Sequence, residues 1–478
     1  MQIYNTLSGK KDPFEKPEGR PLHVFVCGPT VYDYAHIGHA RTYLAYDTFV
    51  RYLRIRKQWN VFYLQNITDI DDKIIARAKE RGKTPEAIAS FFRDSYFEDM
   101  RTLGIESVDR YAPASEFIPH IVAQVRTLMK KGIGYEIEAD GIYFDIARFP
   151  SYGKLSRRTA LQAEDAVSRI DESVAKRNRG DFALWKFPKT PPLPDERADF
   201  VLTEDGEPAW RTELGWGRPG WHIEDTAITE YYFGPQYDLH GGALELKFPH
   251  HEAEIAQQEA ASGKEPLVKI WMHTGLLTIN GKKMSKSLGN FITIGDSVKK
   301  YPPELLRWFF LGFHYRSPIN YSEGLVLEAR TTLEKIRLFL GKLAFVEEKS
   351  GTKKETGTVA QDITRTRREF EEALDDDFNT PAALASIFTL EAAYQEKIWA
   401  LSGGESVMLR TFFLELLNMF GVPFTPLDIP EKVRKIATER DLSRVHQQFT
   451  HADALRDEIR VLGYSLEDTP LGTFIYKN

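Results

Sequence analysis

Within its first hundred residues the chain switches repeatedly between strand-like and helix-like patterning, and this constrains the fold more than any other feature. PLHVFVCG is a short apolar, β-rich run closed by Gly28-Pro29, the pattern of a strand entering a turn. From Gly38 to Arg56 the residues are periodic and free of further glycine and proline, which predicts a helix. NVFYLQNITDI (60–70) is a second apolar run. Helical stretches follow from Asp72 to Leu103, broken near Gly82, with Thr84 as N-cap and Pro85 at the first helical position. Strand, helix, strand, helix is the pattern of a parallel α/β sheet, whose ligands gather outside the carboxyl ends of the strands.

From about Pro119 to Trp210 the character changes. Two strand-like pieces, YEIEAD and GIYFDIA, precede the polar stretch LSRRTALQAEDAVSRIDESVAKRNRGD and the Pro-rich PKTPPLPDERADF, the pattern of a module inserted between two halves of the sheet. Sheet-like patterning returns after Gly220, with the helix PHHEAEIAQQEA and the strand-like LVKIWMH. Beyond Pro303 long helical periods dominate. EEKSGTKKETGTVAQ (347–361) is the expected linker, Thr380-Pro381 the expected start of a helix, and Gly463 the expected stop of HADALRDEIRVLG.

Composition narrows the function classes. The 478 residues fit roughly three domains. Lys plus Arg number 63 against 69 Asp plus Glu, so the net charge of −6 excludes an all-over basic nucleic-acid binder but not a local basic channel. Arginines and lysines at 156–158, 175–179 and 365–368 could form parts of one, or simply solvated helix faces. The single cysteine, Cys27, cannot close an intrachain disulfide and suits a reducing cytosol. No apolar run reaches the roughly 18 residues that span a bilayer, and the N-terminal residues lack the apolar core of a signal peptide. The expectation is a soluble cytoplasmic protein, with no membrane partner.

Three motifs carry chemistry. His36-Ile37-Gly38-His39 stands where a helix begins. Free N–H groups at a helix start bind phosphate, Gly38 would let a nucleotide approach, and two imidazoles can donate to phosphate oxygens. Lys283-Met284-Ser285-Lys286-Ser287 offers two point charges on a Gly-flanked loop, suited to a triphosphate. In this order, 247 residues apart (283 − 36), the two resemble the signature pair of class I aminoacyl-tRNA synthetases, a resemblance that implies ATP-dependent adenylation. In Asp238-Leu239-His240-Gly241-Gly242 the glycines allow close approach to a flat ligand, with His240 stacking on adenine or bonding a ribose; without the other motifs this is a plain turn. A candidate metal site adds to these. His250 and Glu254 share a helix face at a spacing of four, His251 and Glu254 compete at a spacing of three, and Glu252 points elsewhere. Cys27, at the end of the first strand, is either a third ligand or a small buried hydrophobe.

The strings FVCGPTVYDYAHIGHARTY, NITDIDDKI, DFALWK, GRPGWHIE, FPHHEAEIAQ, WMHTGLLTINGKKMSKSLGN, HYRSPINYS, DDDFNTP and LEDTPLGT, in this order from near residue 20 to near 473, closely resemble cysteinyl-tRNA synthetases. The resemblance implies a class I Rossmann-type parallel sheet split by an insertion, followed by a helical anticodon-binding domain. Expected boundaries are 1–117 and 211–265 for the catalytic halves, 118–210 for the inserted module and 266–325 for a stem-contact region with the lysine loop. A helical bundle at 326–422 and a small domain at 423–478 complete the chain.

It further implies activation of L-cysteine by ATP with Mg2+ and transfer to the 3′ end of tRNA(Cys), in a monomer. His36, His39, Lys283 and Lys286 match the catalytic signatures; Gly28, Thr30, Trp221, Asp238, His240, Gly241, Gly242 and Lys286 fall at substrate and ATP positions. One zinc ion per chain would receive the substrate thiol, held by Cys27, Asp225, His250 and Glu254. Asp225 stands where the family usually has cysteine, and Ala243-Leu244-Glu245 replaces a third glycine and its neighbours. A small-molecule cysteine ligase of the same superfamily would lack the 191 residues that follow Ser287 (478 − 287). A silent tRNA-binding paralogue would be expected to lose a signature His or Lys, and all four are present.

Overall fold

The computed structural model describes residues 1–158, 175–190, 199–285, 289–350 and 357–477. They form two compact units: Met1–Pro303 with Phe313–Ser322 and Asp376–Phe378, and the remainder from Glu304 onward.

The first unit is built on five parallel strands: β1 (Leu22–Val26), β2 (Val61–Ile67), β3 (Arg110–Pro113), β4 (Tyr237–Ala243) and β5 (Val268–Thr274). Their spatial order is β5-β4-β1-β2-β3, so the chain reverses direction across the sheet between β1 and β4, the place where such sheets bind ligands. The helices α1 (Ile37–Ile55), α2 (Asp72–Arg81) and α3 (Pro85–Thr102) fall within a residue or two of the sequence expectation. Gly82 closes α2 at φ 58°, a left-handed conformation that suits glycine, and the Thr84 hydroxyl accepts the Ala87 N–H at 3.2 Å.

Two elements differ from expectation. The Asp-Leu-His-Gly-Gly string is the middle of β4, not a turn; its polar side chains are buried against protein partners described below. The helix α5 (Ile223–Phe233) directly follows Trp221-His222 and carries Asp225 in its first turn.

The insertion forms a six-stranded antiparallel sheet, in spatial order Gly134–Ile137, Gly141–Phe144, Phe182–Lys186, Gly215–Pro219, Pro208–Thr212 and Phe200–Leu202. Most of the polar stretch (159–174) and the Pro-rich segment (191–198) lie outside the described residues. The helices α4 (Ile118–Lys130) and α6 (His250–Ser262) pack together and against α5. One apolar cluster joins the two sheets, running from Phe25 and Leu64 to Phe182 and the fully buried Trp185 and Trp271.

The second unit contains the helices Glu323–Lys349, Thr358–Asp375, Thr380–Gln395, Gly403–Met419, Glu431–Val445 and Phe449–Val461, ending in the hairpin Tyr464–Thr469 with Gly472–Lys477. Helix therefore invades both ends of the expected linker, whose middle (351–356) is outside the described residues. Asn379, not Thr380, caps its helix, because the Asn379 carboxamide accepts the Ala382 N–H at 3.1 Å. The 365–368 arginines are largely engaged within this unit: Arg367 makes two 2.9 Å bonds to Glu415, and Arg365 pairs with Asp362 at 2.8 Å. No described helix is long and apolar enough to cross a membrane.

Candidate active site and metal centre

His36 is the N-cap of α1, and the two motif histidines close a reciprocal capping box. The Gly38 N–H donates to His36 Nδ1 at 3.1 Å, and the His36 N–H donates to His39 Nδ1 at 3.2 Å. A backbone amide can only donate, so both Nδ1 atoms must accept, which places the ring proton of each neutral imidazole on Nε2. The rings stack with centroids 3.8 Å apart. Burial pushes His36 down to about 4; burial, then the neighbouring His36, holds His39 well below the usual histidine range. The pair is a set of two neutral Nε2–H donors. This corrects one expectation: the helix-start amides are not free for phosphate, since the Ile37 N–H donates to the Ile292 carbonyl and the Gly38 N–H to His36. A Cβ on Gly38 would lie 2.9 Å from the His36 ring, so the capping box itself requires glycine there.

The lysine motif begins on a short hairpin, Leu277–Ile279 with Lys282–Lys283. Lys283 is largely exposed, and its 3.8 Å approach to the exposed Glu245 is worth little, leaving the ammonium available to a ligand. Despite the distance in sequence, the flanks of this loop dock on the histidine motif. A Cβ on Gly38 would lie 3.8 Å from Met284 Cε, Phe291 packs edge-on to His36 at 5.4 Å, and Thr293 bridges to His36. Lys286 lies outside the described residues.

At the carboxyl edge of β1, three buried groups gather around His250 Nε2. His250 Nε2 lies 3.0 Å from Asp225 Oδ2, 3.2 Å from Glu254 Oε1 and 3.5 Å from Cys27 Sγ. One imidazole proton cannot serve two carboxylates and a sulfur. Neither Glu254 oxygen makes a hydrogen bond, although the side chain is 1% exposed. Burial, then the Asp225 charge, raises the Glu254 carboxyl well above its usual range; burial, then Asp225 and Glu254, raises the Cys27 thiol likewise. A crowd of acidic groups sharing too few protons is what a divalent cation resolves, and a thiolate, imidazole and two carboxylates suit zinc. His251 is the poorer alternative: its Nε2 lies 4.0 Å from Glu254, and its Nδ1 faces His273 Nε2 at 2.9 Å. Glu252 does point elsewhere, accepting the Gly153 and Ser156 amides.

Two positioning residues escaped sequence reasoning. The Asn66 amide donates to Asp225 Oδ1 at 2.6 Å, turning Oδ2 toward His250. His222 Nδ1 lies 2.8 Å from His250 Nδ1, which aims Nε2 at the cluster. Trp221 stacks on the His250 ring with centroids 4.4 Å apart.

Residues 13–331 match the family model described as tRNA synthetases class I (C) catalytic domain, and residues 369–424 match the DALR domain. The cysteine–tRNA ligase of Thermococcus onnurineus is 40% identical over 489 residues, covering 99% of this chain and 98% of the relative. That of Geobacillus thermodenitrificans is 39% identical over 478 residues, covering 99% and 98%. This chain belongs to the cysteine–tRNA ligase family. It is thus a class I aminoacyl-tRNA synthetase, a ligase. The fold agrees. The LeuRS of Agrobacterium radiobacter K84, solved with tRNA and LeuAMS, superposes with a TM-score of 0.63 at 13% identity, covering 85% of this chain and 84% of that one. The methionyl-tRNA synthetase of Mycobacterium tuberculosis, solved with methionyl-adenylate, gives 0.58 at 15%, covering 84% and 90%.

The other expected ligand-binding positions of the synthetase divide into two groups. Gly28 and Thr30 sit at the carboxyl edge, but against protein: the Gly28 N–H donates to Asn66 Oδ1 at 2.6 Å, and Thr30 bridges to Thr68. Asp238, His240, Gly241 and Gly242 are spent inside the fold. Asp238 lies at the amino end of β4, where Arg20 grips it with two bonds and Lys269 and the His23 N–H add two more. His240 is fully buried, stacked on Trp271 at 4.2 Å and bonded to the Tyr237 hydroxyl at 2.7 Å, so no adenine reaches it. A Cβ on Gly241 would lie 2.6 Å from the Tyr46 ring, and one on Gly242 would lie 2.8 Å from His251. The glycines admit side chains, not a nucleotide. Gly241→Ala is therefore expected to cost about 1–3 kcal/mol of stability by overpacking. Denaturant unfolding checks this, and a raised ATP KM at unchanged stability would contradict it.

Proposed function

We propose that this synthetase activates L-cysteine with ATP to cysteinyl adenylate and transfers the cysteinyl group to the 3′-terminal adenosine of tRNA(Cys), with a zinc ion recognising the substrate thiol. The observation that carries the reading is the gathering of Cys27, Asp225 and Glu254 around His250, linked to the paired histidines through Tyr43, whose hydroxyl donates to the Cys27 carbonyl at 3.4 Å and whose ring stacks on His39. In the first step a cysteine carboxylate oxygen bonds to the α-phosphorus of Mg2+-bound ATP while the bond to pyrophosphate breaks. The Nε2–H groups of His36 and His39 donate to phosphoryl oxygens as charge develops, and Lys283 and Lys286 offset the charge of the departing pyrophosphate. In the second step a ribose hydroxyl of the terminal adenosine attacks the acyl carbon and AMP leaves. Cysteine and serine differ by S for O, which pocket shape separates poorly. Cys27, Asp225, His250 and Glu254 would hold zinc, which when bound would supply a preference for thiolate over neutral hydroxyl. Trp221, stacked on His250, walls the cysteine side.

Pyrophosphate exchange tests the reading: cysteine should support it, serine should not, and a zinc chelator should abolish the difference. Exchange with both amino acids, untouched by chelation, would overturn the zinc assignment. Lys286→Ala is expected to cut the exchange rate roughly 100-fold or more by removing a transition-state charge contact; an unchanged rate would remove it from the machinery.

A pH dependence also follows. A histidine with lowered pKa keeps its neutral, donating form well below the ordinary value of about 6.5, so the His36 and His39 donors should persist as pH falls toward that of His36, about 4. Exchange at saturating cysteine should show no acid limb near 6.5 from these rings, checked by kcat/KM for ATP between about pH 5.5 and 8.

A further inference from the structure

We propose that Tyr34 and Phe91 form an aromatic step on which the unpaired 3′ end of the tRNA stacks as it enters the active site. The inference rests on the aminoacylation reading above and adds a contact surface for its second substrate.

Tyr34 stands two residues before the N-cap His36, on the loop that leads into α1, and is 42% exposed. Phe91, on α3, is 48% exposed. The two rings meet edge to face with centroids 6.2 Å apart, and both contact the buried Phe92, at 5.2 Å from Tyr34 and 5.1 Å from Phe91. Phe92 anchors the step from below, so two large aromatic surfaces are held rigidly in solvent at the threshold of the histidine motif.

Two exposed aromatic faces in contact offer a stacking surface, and the charge beside this pair points to the occupant. Arg81 lies over the Phe92 ring at 5.1 Å and has no carboxylate partner among the described residues. Nearby acidic groups are engaged with their own arginines, Glu80 with Arg77 at 3.0 Å and Asp94 with Arg93 at 3.7 Å. Glu86 lies in the first turn of α3, where a carboxylate favours the helix dipole. Aromatic faces beside an uncommitted cation are the chemistry that binds single-stranded nucleic acid, the bases stacking and a phosphate meeting the charge. The proposed reaction brings one such strand here: the unpaired end of the tRNA must reach the adenylate beside His36 and His39.

The test uses Tyr34→Ala, Phe91→Ala and the stacking-competent Phe91→Trp in the full chain. Three quantities are measured: cysteine-dependent pyrophosphate exchange, aminoacylation kcat/KM for intact tRNA(Cys), and inhibition by tRNA(Cys) stripped of its unpaired 3′ nucleotides. Each alanine variant should keep wild-type exchange and lose roughly 10-fold in kcat/KM for intact tRNA. Phe91→Trp should restore it, and the stripped tRNA should inhibit wild type and variants equally. Unchanged aminoacylation, a parallel fall in exchange, or weaker binding of the stripped tRNA would each overturn the step. Absence of cysteine-dependent exchange in the wild-type protein would instead overturn the activity on which it rests.

Discussion

Asp225→Ala is expected to lower zinc affinity by at least roughly 100-fold and to raise the KM for cysteine in step, whereas Asp225→Cys should keep both near wild type. Partners in the shell around a metal ligand already change affinity by about 10–100-fold when removed, so a ligand itself should cost more. Asp225 is fully buried, with Oδ1 held by Asn66 at 2.6 Å and Oδ2 directed at His250 Nε2 at 3.0 Å. A carboxylate in this position makes the donor set harder than a second thiolate would, without changing its charge. Restored cysteine should therefore bind zinc at least as tightly. Zinc content after gel filtration, with a chelator titration, reads the first quantity, and pyrophosphate exchange the second. An alanine variant that retains one equivalent of zinc and an unchanged KM would remove Asp225 from the donor set. Asn66→Ala provides a graded control, since it frees Asp225 to rotate while leaving the charge in place.

The divided legibility of this chain has a physical basis. The elements around the histidine motif were readable because their signals are local: Gly82 supplies a left-handed residue, Thr84 and Pro85 a cap and first turn, and the apolar runs of β1 and β2 a buried parallel sheet. The candidate metal donors were readable in part, because helix periodicity places His250 and Glu254 on one face and the end of the first strand offers Cys27, whereas Asp225 came from family resemblance. β4 was opaque. Its Asp, His and paired Gly have the composition of a turn, and only remote partners, Arg20 on Asp238, Trp271 on His240 and Tyr46 over Gly241, make that string a central strand. A polar residue in a buried strand shows its type in the sequence but not the group that satisfies it. The same reason hid His222 and Asn66, whose roles exist only through groups far away in the chain.

Arg41 is the extreme case, and its replacement should produce the largest loss of stability. It lies in the second turn of α1, only 3% exposed, and helical patterning alone gives no sign that its guanidinium points inward. It donates to the carbonyls of Gly275 at 2.5 Å, Leu276 at 2.6 Å and Tyr315 at 3.2 Å, and to that of Ser317. Burial lowers the guanidinium to about 10, which leaves it charged at neutral pH. No carboxylate lies within 4.0 Å of it among the described residues, so carbonyl dipoles carry the solvation of the cation. The Leu276 and Tyr315 carbonyls would keep partners in the Ile319 and Gly275 amides if Arg41 were removed; those of Gly275 and Ser317 would lose the donor described here. The orphaned buried Gly275 carbonyl costs about 1–3 kcal/mol, and the exposed Ser317 can turn its carbonyl to water, so Arg41→Met should lose about 1–3 kcal/mol from these groups, with lost packing of the buried stem adding to it. Lysine should not rescue it, because a single ammonium cannot span four acceptors arranged around a planar fork. The segments it clasps lead directly into the paired strands Leu277–Ile279 and Ile319–Tyr321, on which the lysine hairpin is built. Loss of Arg41 should therefore raise the KM for ATP as well as lower the unfolding midpoint. Full stability with a raised KM would make Arg41 a ligand-binding group instead, and full stability with an unchanged KM would show that this clasp is dispensable to the fold.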